Sequence, residues 1–266
     1  MTSTVNCNIC SNPSTPFATA TVLGEHNIQY YQCAYCGFIQ TETPYWLDEA
    51  YSEVINSSDL GMVARNLGLA RICRALVTVF FNSNGKFVDY GGGYGLLVRL
   101  MRNSGFDFYR YDPLCANFFA KGFDVDVEAK HSYELVTAFE VFEHLVHPLE
   151  DIERMLAFSR NILFGTKLVP PHNPKPGEWQ YYGLEHGQHV SFYTKKSLSV
   201  IAENFHLHLH SCRESIHLLS EKMAFSPLLF DIVAHYKVAS LISVLIPRKS
   251  LTPQDFYKVT GMYLEM

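Results

Sequence analysis

Hydrophobic and polar positions along the chain change period several times, and the changes mark out its elements. From about Asp59 to Phe81, Leu67, Leu69, Ala70, Ile72, Cys73, Leu76, Val77 and Phe80 recur at helical spacing, which predicts a helix with a broad apolar face, capped by Ser57 or Ser58. A short run, Phe87 and Val88, ends in Asp89 and passes through a glycine-dense turn into a second helical pattern, Leu96, Leu97, Leu100 and Met101. A strand over 106–111 closes on Asp112, and the pattern continues as a helix over 113–121, a short strand over 122–127 and a longer strand over 134–140. Pro148 opens a helix through about Ser159, and 161–166 reads as another strand. Beyond an irregular stretch, 167–194, come a helix over 195–204 and an alternating strand over 205–210. That strand turns Phe205, Leu207 and Leu209 to the core and His206, His208 and His210 to solvent, with 216–219 as its antiparallel partner. Ser226 followed by Pro227 opens a helix that can run to about Ile246, and Thr252-Pro253-Gln254-Asp255 reads as a capping box for a last one. Strands alternating with helices predict an α/β fold around a parallel sheet.

The turn is the chemically informative part of that pattern. Gly91, Gly93 and Gly95 leave no Cβ where the backbone must turn sharply and let a ligand lie against it. A pyrophosphate-binding fingerprint needs G-x-G-x-x-G or A; counted from Gly91 the last position is Leu96, and from Gly93 it is Val98, so neither fits. What the residues do spell is apolar-Asp-x-Gly-x-Gly-x-Gly, Val88 to Gly95. An acid ahead of the glycines repels phosphate and suits an ammonium or sulfonium group. Asp112, ending the next strand, can accept both hydroxyls of a ribose. Turn, Asp89 and Asp112 together resemble the cofactor site of class I S-adenosylmethionine-dependent methyltransferases. The resemblance implies a Rossmann-like sheet with helices on both faces.

A second stretch, Tyr133 to Leu145, resembles the fourth strand and following turn of many small-molecule methyltransferases, where an EVxEH-like segment lies under the cofactor. Here it reads Glu140-Val141-Phe142-Glu143-His144, which puts Phe139 and Glu140 beside the cofactor and Glu143 and His144 at a strand's C-terminal end. Asp124 and Asp126 flank the region where adenine would sit; either could bind its amino group, and the favoured reading is solvated loop acids. The 167–194 segment, with four prolines, Trp179, Tyr181, Tyr182, Glu185, His186 and His189, reads as a lid or binding loop suited to a polar ligand. Tyr51 has two readings, a side chain that reaches the active site and a buried packing tyrosine, and the second is the one favoured.

Cys7-x-x-Cys10 and Cys33-x-x-Cys36 are two knuckles of the kind that complete a tetrahedral zinc site; with four sulfur ligands the metal has a structural role. Gly37 supplies a left-handed residue after the second knuckle, and Tyr30, Tyr31, Phe38 and Ile39 supply a small apolar patch. A four-cysteine N-terminus joined to this core is similar to sugar C-methyltransferases, in which a Glu-His pair before an aromatic-rich strand carries the proposed base. The matching stretch is Gln188-His189-Val190-Ser191-Phe192-Tyr193, so the resemblance gives His189 the base role and His144 the place of the other active-site histidine. Gln188 stands where the family has Glu, leaving Glu185 or Glu143 to supply the acid.

The chain thus divides into a zinc-ribbon-like segment (1–44), a helical lead-in (45–82), the cofactor-binding core (83–222) and a C-terminal helical extension (223–266). With 266 residues and 48% hydrophobic content it can bury a large core, and a net charge of −5 disfavours extended nucleic-acid binding. MTSTVNCNIC has no basic-then-apolar signal, and seven cysteines without one point to thiols or metal; the expected location is cytoplasmic. The apolar C-terminal helix carries Asp231, His235 and Lys237, which argues against a membrane span and for burial or a homodimer contact. The function expected is transfer of a methyl group from S-adenosylmethionine to a small polar substrate, O- or C-directed. Alternatives are an RNA-modifying methyltransferase and a non-catalytic cofactor-binding partner protein.

Overall fold

The computed structural model describes residues 4–52, 60–127, 132–221 and 226–264. In chain order, β1 (Val5–Asn6), β2 (Pro13–Val22), β3 (His26–Cys33) and β4 (Ile39–Thr41) lead through a short helix α1 (Leu47–Ala50) to the long helix α2 (Met62–Phe80). Then follow β5 (Lys86–Tyr90), α3 (Leu96–Asn103), β6 (Asp107–Tyr111), β7 (Leu135–Phe139), α4 (Pro148–Leu156) and β8 (Ile162–Gly165). The chain closes with β9 (Ser191–Phe192), α5 (Lys195–Asn204), β10 (His208–Cys212), β11 (Ile216–Ser220), α6 (Pro227–Ala234), α7 (Tyr236–Leu245) and α8 (Thr252–Thr260).

Two sheets form. The larger has the order β10-β11-β8-β7-β5-β6; β8, β7, β5 and β6 run parallel, and the β10–β11 hairpin is antiparallel to them. The central strands β7 (LVTAF) and β8 (ILFG) are buried along their whole length, which is why they read as near-continuous apolar runs. Alternate side chains go to opposite cores: Val88, Val136 and Phe164 meet α4 and α5 through Ile152, Met155 and Ile201, whereas Phe87, Leu135 and Leu163 meet α2, α3 and α6 through Leu76, Val98 and Phe230. The expected α/β sheet covered by helices on both faces is therefore present. Strand order reverses at β5, which has β6 on one side and β7 on the other, so a crevice opens at the C-terminal ends of β5 and β7. The smaller sheet is antiparallel, order β1-β2-β3-β4-β9. Its last strand comes from the end of the 167–194 segment, so the N-terminal ribbon and the core share one ladder.

Several elements differ from expectation. Residues 113–121 form no helix: Asp112 accepts from the Leu114 and Cys115 N–H groups and Asn117 from Ala120, and such Asx turns compete with helical hydrogen bonds. The strand expected over 122–127 reduces to one bridge, Arg110 to Asp124. The alternating strand begins at His208, because His206 is left-handed (φ 54°), and His210 is buried with its ring 5.8 Å from Phe230 instead of facing solvent. The helix expected from Ser226 to Ile246 is broken at extended His235 and bent by 77°, which lets Phe230, Val233 and Ala239 all reach the core. No single helix among the described residues is long and apolar enough to cross a membrane, though this bent pair passes by length and composition. Leu251, not Thr252, occupies the cap of α8. Ser57 and Ser58 lie outside the described residues; the helix itself runs Met62–Phe80.

Candidate functional site

A cavity of about 1220 Å³ occupies the crevice, lined at one end by Asp89, Gly91, Gly93 and Asp112 and at the other by His144, Tyr181 and His189.

At the first end all three turn glycines have positive φ, 65°, 52° and 84°, and Gly95 caps α3. A Cβ on Gly91 would come within 2.7 Å of Val141, and one on Gly95 within 2.8 Å of Asn117, whereas Gly93 faces open space. The first and last glycines thus serve packing, and the middle one leaves room for a ligand. Asp112 accepts from Gly93 N–H (2.8 Å) and holds the turn. With Leu114 and Cys115 N–H on Oδ1 and Gly93 N–H on Oδ2, Oδ2 keeps one lone pair for a further donor, as a ribose hydroxyl would supply. Asp89 is buried and accepts from Thr137 Oγ1 (2.7 Å). Burial pushes its carboxyl up to about 7, opposed by the Thr137 hydrogen bond and reinforced by the charge of Asp112. A bound cation would offset that desolvation. Arg110, not anticipated from sequence, fastens the loop: Nε donates to Gly93 O (2.6 Å), and the guanidinium also reaches Asp124 and Cys115 O. Asp124 is thereby a structural partner and not a free loop acid. At the end of β7, Phe139 packs beneath the cavity, and Glu140 holds a left-handed φ of 55° with Oε2 3.4 Å from Arg65 Nε on α2. A strained non-glycine residue at a strand's C-terminal end is a common mark of a functional turn.

The other end is assembled from four stretches. Glu143 is fully buried, and its Oε1 accepts from Tyr181 OH (2.6 Å). Burial raises this carboxyl to about 7, with the Tyr181 hydrogen bond opposing. His189 Nδ1 lies 2.6 Å from the carbonyl oxygen of Tyr181, which fixes the proton on Nδ1 and leaves Nε2 as the lone pair. Burial lowers His189 to about 4, so the ring is neutral at pH 7. His144 packs edge-on to it at 4.9 Å and is lowered well below the usual histidine range, first by burial and then by the neighbouring histidines. Its ring is held between Tyr51 OH, 2.9 Å from Nδ1, and the main chain of Gln188. One ligand atom from each of Glu143, His144 and His189 falls within 4.8 Å of the others, but His144 spends its ring on those hydrogen bonds, so the trio reads as a polar network.

Expectation and geometry part at two places here. Neither Glu185 nor Glu143 is the hydrogen-bond partner of His189; a main-chain carbonyl fills that place, and Gln188 turns away to donate to Ala50 O (2.8 Å). Tyr51 is part of the site through His144 and is more than packing. Tyr181 is a further member, since its hydroxyl serves Glu143 and its carbonyl serves His189. The aromatic content of 167–194 signalled that loop, but nothing in sequence paired Tyr51 with residue 144.

In the smaller sheet, Cys7, Cys10, Cys33 and Cys36 converge, with Sγ···Sγ separations of 3.6 Å (7–36), 3.4 Å (10–33) and 3.6 Å (10–36). A zinc tetrahedron with bonds of about 2.3 Å has edges of about 3.8 Å, so the four thiols fit such an ion. Gly37 is left-handed (φ 73°) as the second knuckle requires, and Phe38 and Ile39 are buried.

A switch-point crevice, open space beside Gly93 and the histidines at the far end together make a single cavity at the C-terminal ends of the strands of an α/β core. The family described as "Methyltransferase domain" matches residues 64–211, more than half of the chain, and the chain belongs to that family. No curated protein matches the sequence. Among solved structures, the chain is similar to CalO1, a methyltransferase in calicheamicin biosynthesis in its SAH-bound form, at 17% identity over 67% of this chain and 60% of that one (TM-score 0.46). It is also similar to human N-acetylserotonin methyltransferase in complex with SAM, at 16% identity over 67% and 66% (TM-score 0.41). A third is the plantazolicin methyltransferase BpumL in complex with SAH, at 12% identity over 66% and 93% (TM-score 0.42). The chain therefore spans less than two thirds of the length of the first of these.

Proposed function

We propose that this enzyme methylates a small polar acceptor, a sugar, nucleotide-sugar or similar metabolite, at oxygen or carbon, with His189 taking the acceptor's proton. The cofactor supplies an electrophilic methyl group on a sulfonium. Asp89 balances the donor's positive charge, Gly91, Gly93 and Gly95 shape the turn against it, Asp112 takes a ribose hydroxyl, and Phe139 and Glu140 border it. Glu143 and His144 order the acceptor side. The observation that carries this reading is the Tyr181 carbonyl 2.6 Å from His189 Nδ1, which leaves Nε2 as an unprotonated acceptor at the cavity. The four cysteines hold a structural zinc ion, and the exposed Leu228, Leu241, Val244 and Leu245 of α6 and α7 form the surface for a homodimer. A net charge of −5 supports a small-molecule acceptor over nucleic acid and is compatible with the cytoplasmic placement.

The test is a methyl-transfer screen over nucleotide-sugars, phenols and RNA, repeated with His189→Ala. Turnover on a sugar or phenol that collapses in the variant supports the reading. Full turnover in the variant removes the base, and transfer confined to RNA removes the substrate class. Metal analysis reads the cysteine site, and sedimentation reads the dimer.

A further inference from the structure

His189 sits two residues before β9, and β9 belongs to the ribbon's sheet. Ile39 pairs with Phe192 and Gln40 with Ser191, while Thr41 N–H donates to Val190 O (3.2 Å). Val190 N–H in turn donates to Glu143 O (2.9 Å). The residue following His189 is thus clamped between the ribbon on one side and the methyltransferase core on the other.

Two hydrogen-bonded paths lead from that ladder to the thiols. In the first, Gln40 of β4 accepts from Asn8 N–H (2.9 Å) and donates to Asn6 O (3.1 Å), gripping the main chain on either side of Cys7. In the second, Thr194 Oγ1, just past β9, donates to Cys36 O (2.6 Å). The loop's beginning is tied to the same sheet, through the reciprocal amide pair Gln32 and Asn173 (2.8 and 2.9 Å). The ribbon also docks on the core directly, because Cys7, Cys33, Cys36 and Phe38 pack in one cluster with Leu145, Tyr193 and Leu198. Two short knuckles cannot bury enough apolar surface to hold a fixed geometry alone; four bonds to an ion would fix both at once.

We propose that the four-cysteine centre is a positioning element of the acceptor site: with a metal ion bound it locks β4, and through the β4–β9 ladder it fixes where His189 stands. This rests on the readings of the cysteines as a zinc site and of His189 as the base. It gives the ribbon a part in the reaction's geometry while leaving the glycine turn that follows β5 outside its control.

The experiment compares hydrogen exchange, read by mass spectrometry, in the protein as purified and after metal removal with dipicolinic acid. Metal loss is expected to speed exchange over 187–193 by about tenfold or more while 86–95 changes by less than about twofold. The calorimetric Kd for S-adenosylmethionine should stay within about threefold. Unchanged exchange over 187–193 overturns the proposal, and so does a general loss of protection together with loss of cofactor binding, which would make the metal a global folding element. Gln40→Ala in the metal-loaded protein cuts one path only: faster exchange over 187–193 with the metal retained supports the coupling, and unchanged exchange there overturns it. A protein that purifies without metal overturns it as well. Failure of the base reading is told apart by unaltered turnover in His189→Ala, which leaves the exchange result standing.

Discussion

The two ends of the one cavity are built in opposite ways. The proposed cofactor end comes from neighbours in sequence: Asp89, the three glycines, and Asp112 one strand further on, held by hydrogen bonds to the main chain such as Gly93 N–H to Asp112 and Arg110 to Gly93 O. The proposed acceptor end joins Tyr51, Glu143, His144, Tyr181 and His189, residues as much as 138 positions apart in the chain, through side-chain contacts and one carbonyl. Burial disfavours charge at both ends, but on different groups. It raises Asp89 at the first end and Glu143 at the second to about 7, and at the second end it also keeps His189 neutral, ready to accept a proton. A local turn can specify a shared cofactor, whereas the acceptor's chemistry depends on how loops from separate parts of the fold are brought together.

The largest expected effect separates the ends outright. His189→Ala should lower kcat by about 10²- to 10⁴-fold, the range for a general base, on whichever acceptor the screen identifies. Its calorimetric affinity for S-adenosylmethionine should stay within about threefold, since the ring touches nothing at the glycine turn. A parallel loss of cofactor binding would mean that the ends are not independent.

Next, Asp89→Asn keeps the shape and an acceptor for Thr137 but removes the charge, and should weaken S-adenosylmethionine by about tenfold to a hundredfold. The wild-type affinity should also depend on pH. Because burial has raised the carboxyl to about 7, binding that needs the ionised form strengthens as pH rises through 7 and levels off above it. The asparagine variant should show no such slope; a slope that persists would place the titrating group elsewhere.

What could be read from sequence follows the same division. Val88 to Asp112 was legible because strand, turn and strand are consecutive, and the positive φ of Gly91, Gly93 and Gly95 is a local demand that glycine meets. The helix expected over 113–121 failed because Asp112 and Asn117 bind nearby N–H groups, a competition that apolar spacing does not register. The Tyr51 hydroxyl on His144 and the Tyr181 carbonyl on His189 are tertiary contacts with no signature in either stretch. Nor does anything in 191–192 announce that it will pair with 39–40 rather than with the larger sheet.

A smaller effect is expected at Tyr51. Tyr51→Phe leaves the ring's packing and removes the hydroxyl from His144 Nδ1. One neutral hydrogen bond contributes about 0.5–1.5 kcal/mol, so kcat should fall by about twofold to tenfold with cofactor affinity unchanged. A loss as large as that of His189→Ala would make Tyr51 a direct participant in proton transfer.

The smallest expected change is that of kcat at saturating cofactor on the acid side of the pH profile, where the two ends give different answers. His189 must be neutral to accept a proton, and burial holds it down to about 4, so falling pH protonates it only well below the ordinary histidine range. Asp89 must be ionised to meet the donor's charge, and burial holds it up to about 7, so falling pH neutralises it first. At low cofactor, kcat/KM for S-adenosylmethionine should therefore drop about tenfold per pH unit below 7. At saturating cofactor the bound cation keeps Asp89 ionised, and kcat between pH 7.5 and 6 should change by less than about twofold. A kcat that falls with an apparent pKa near 6.5 under saturation would show that the histidine ring is wetter during turnover than its burial implies. The acid limb would then belong to the acceptor end.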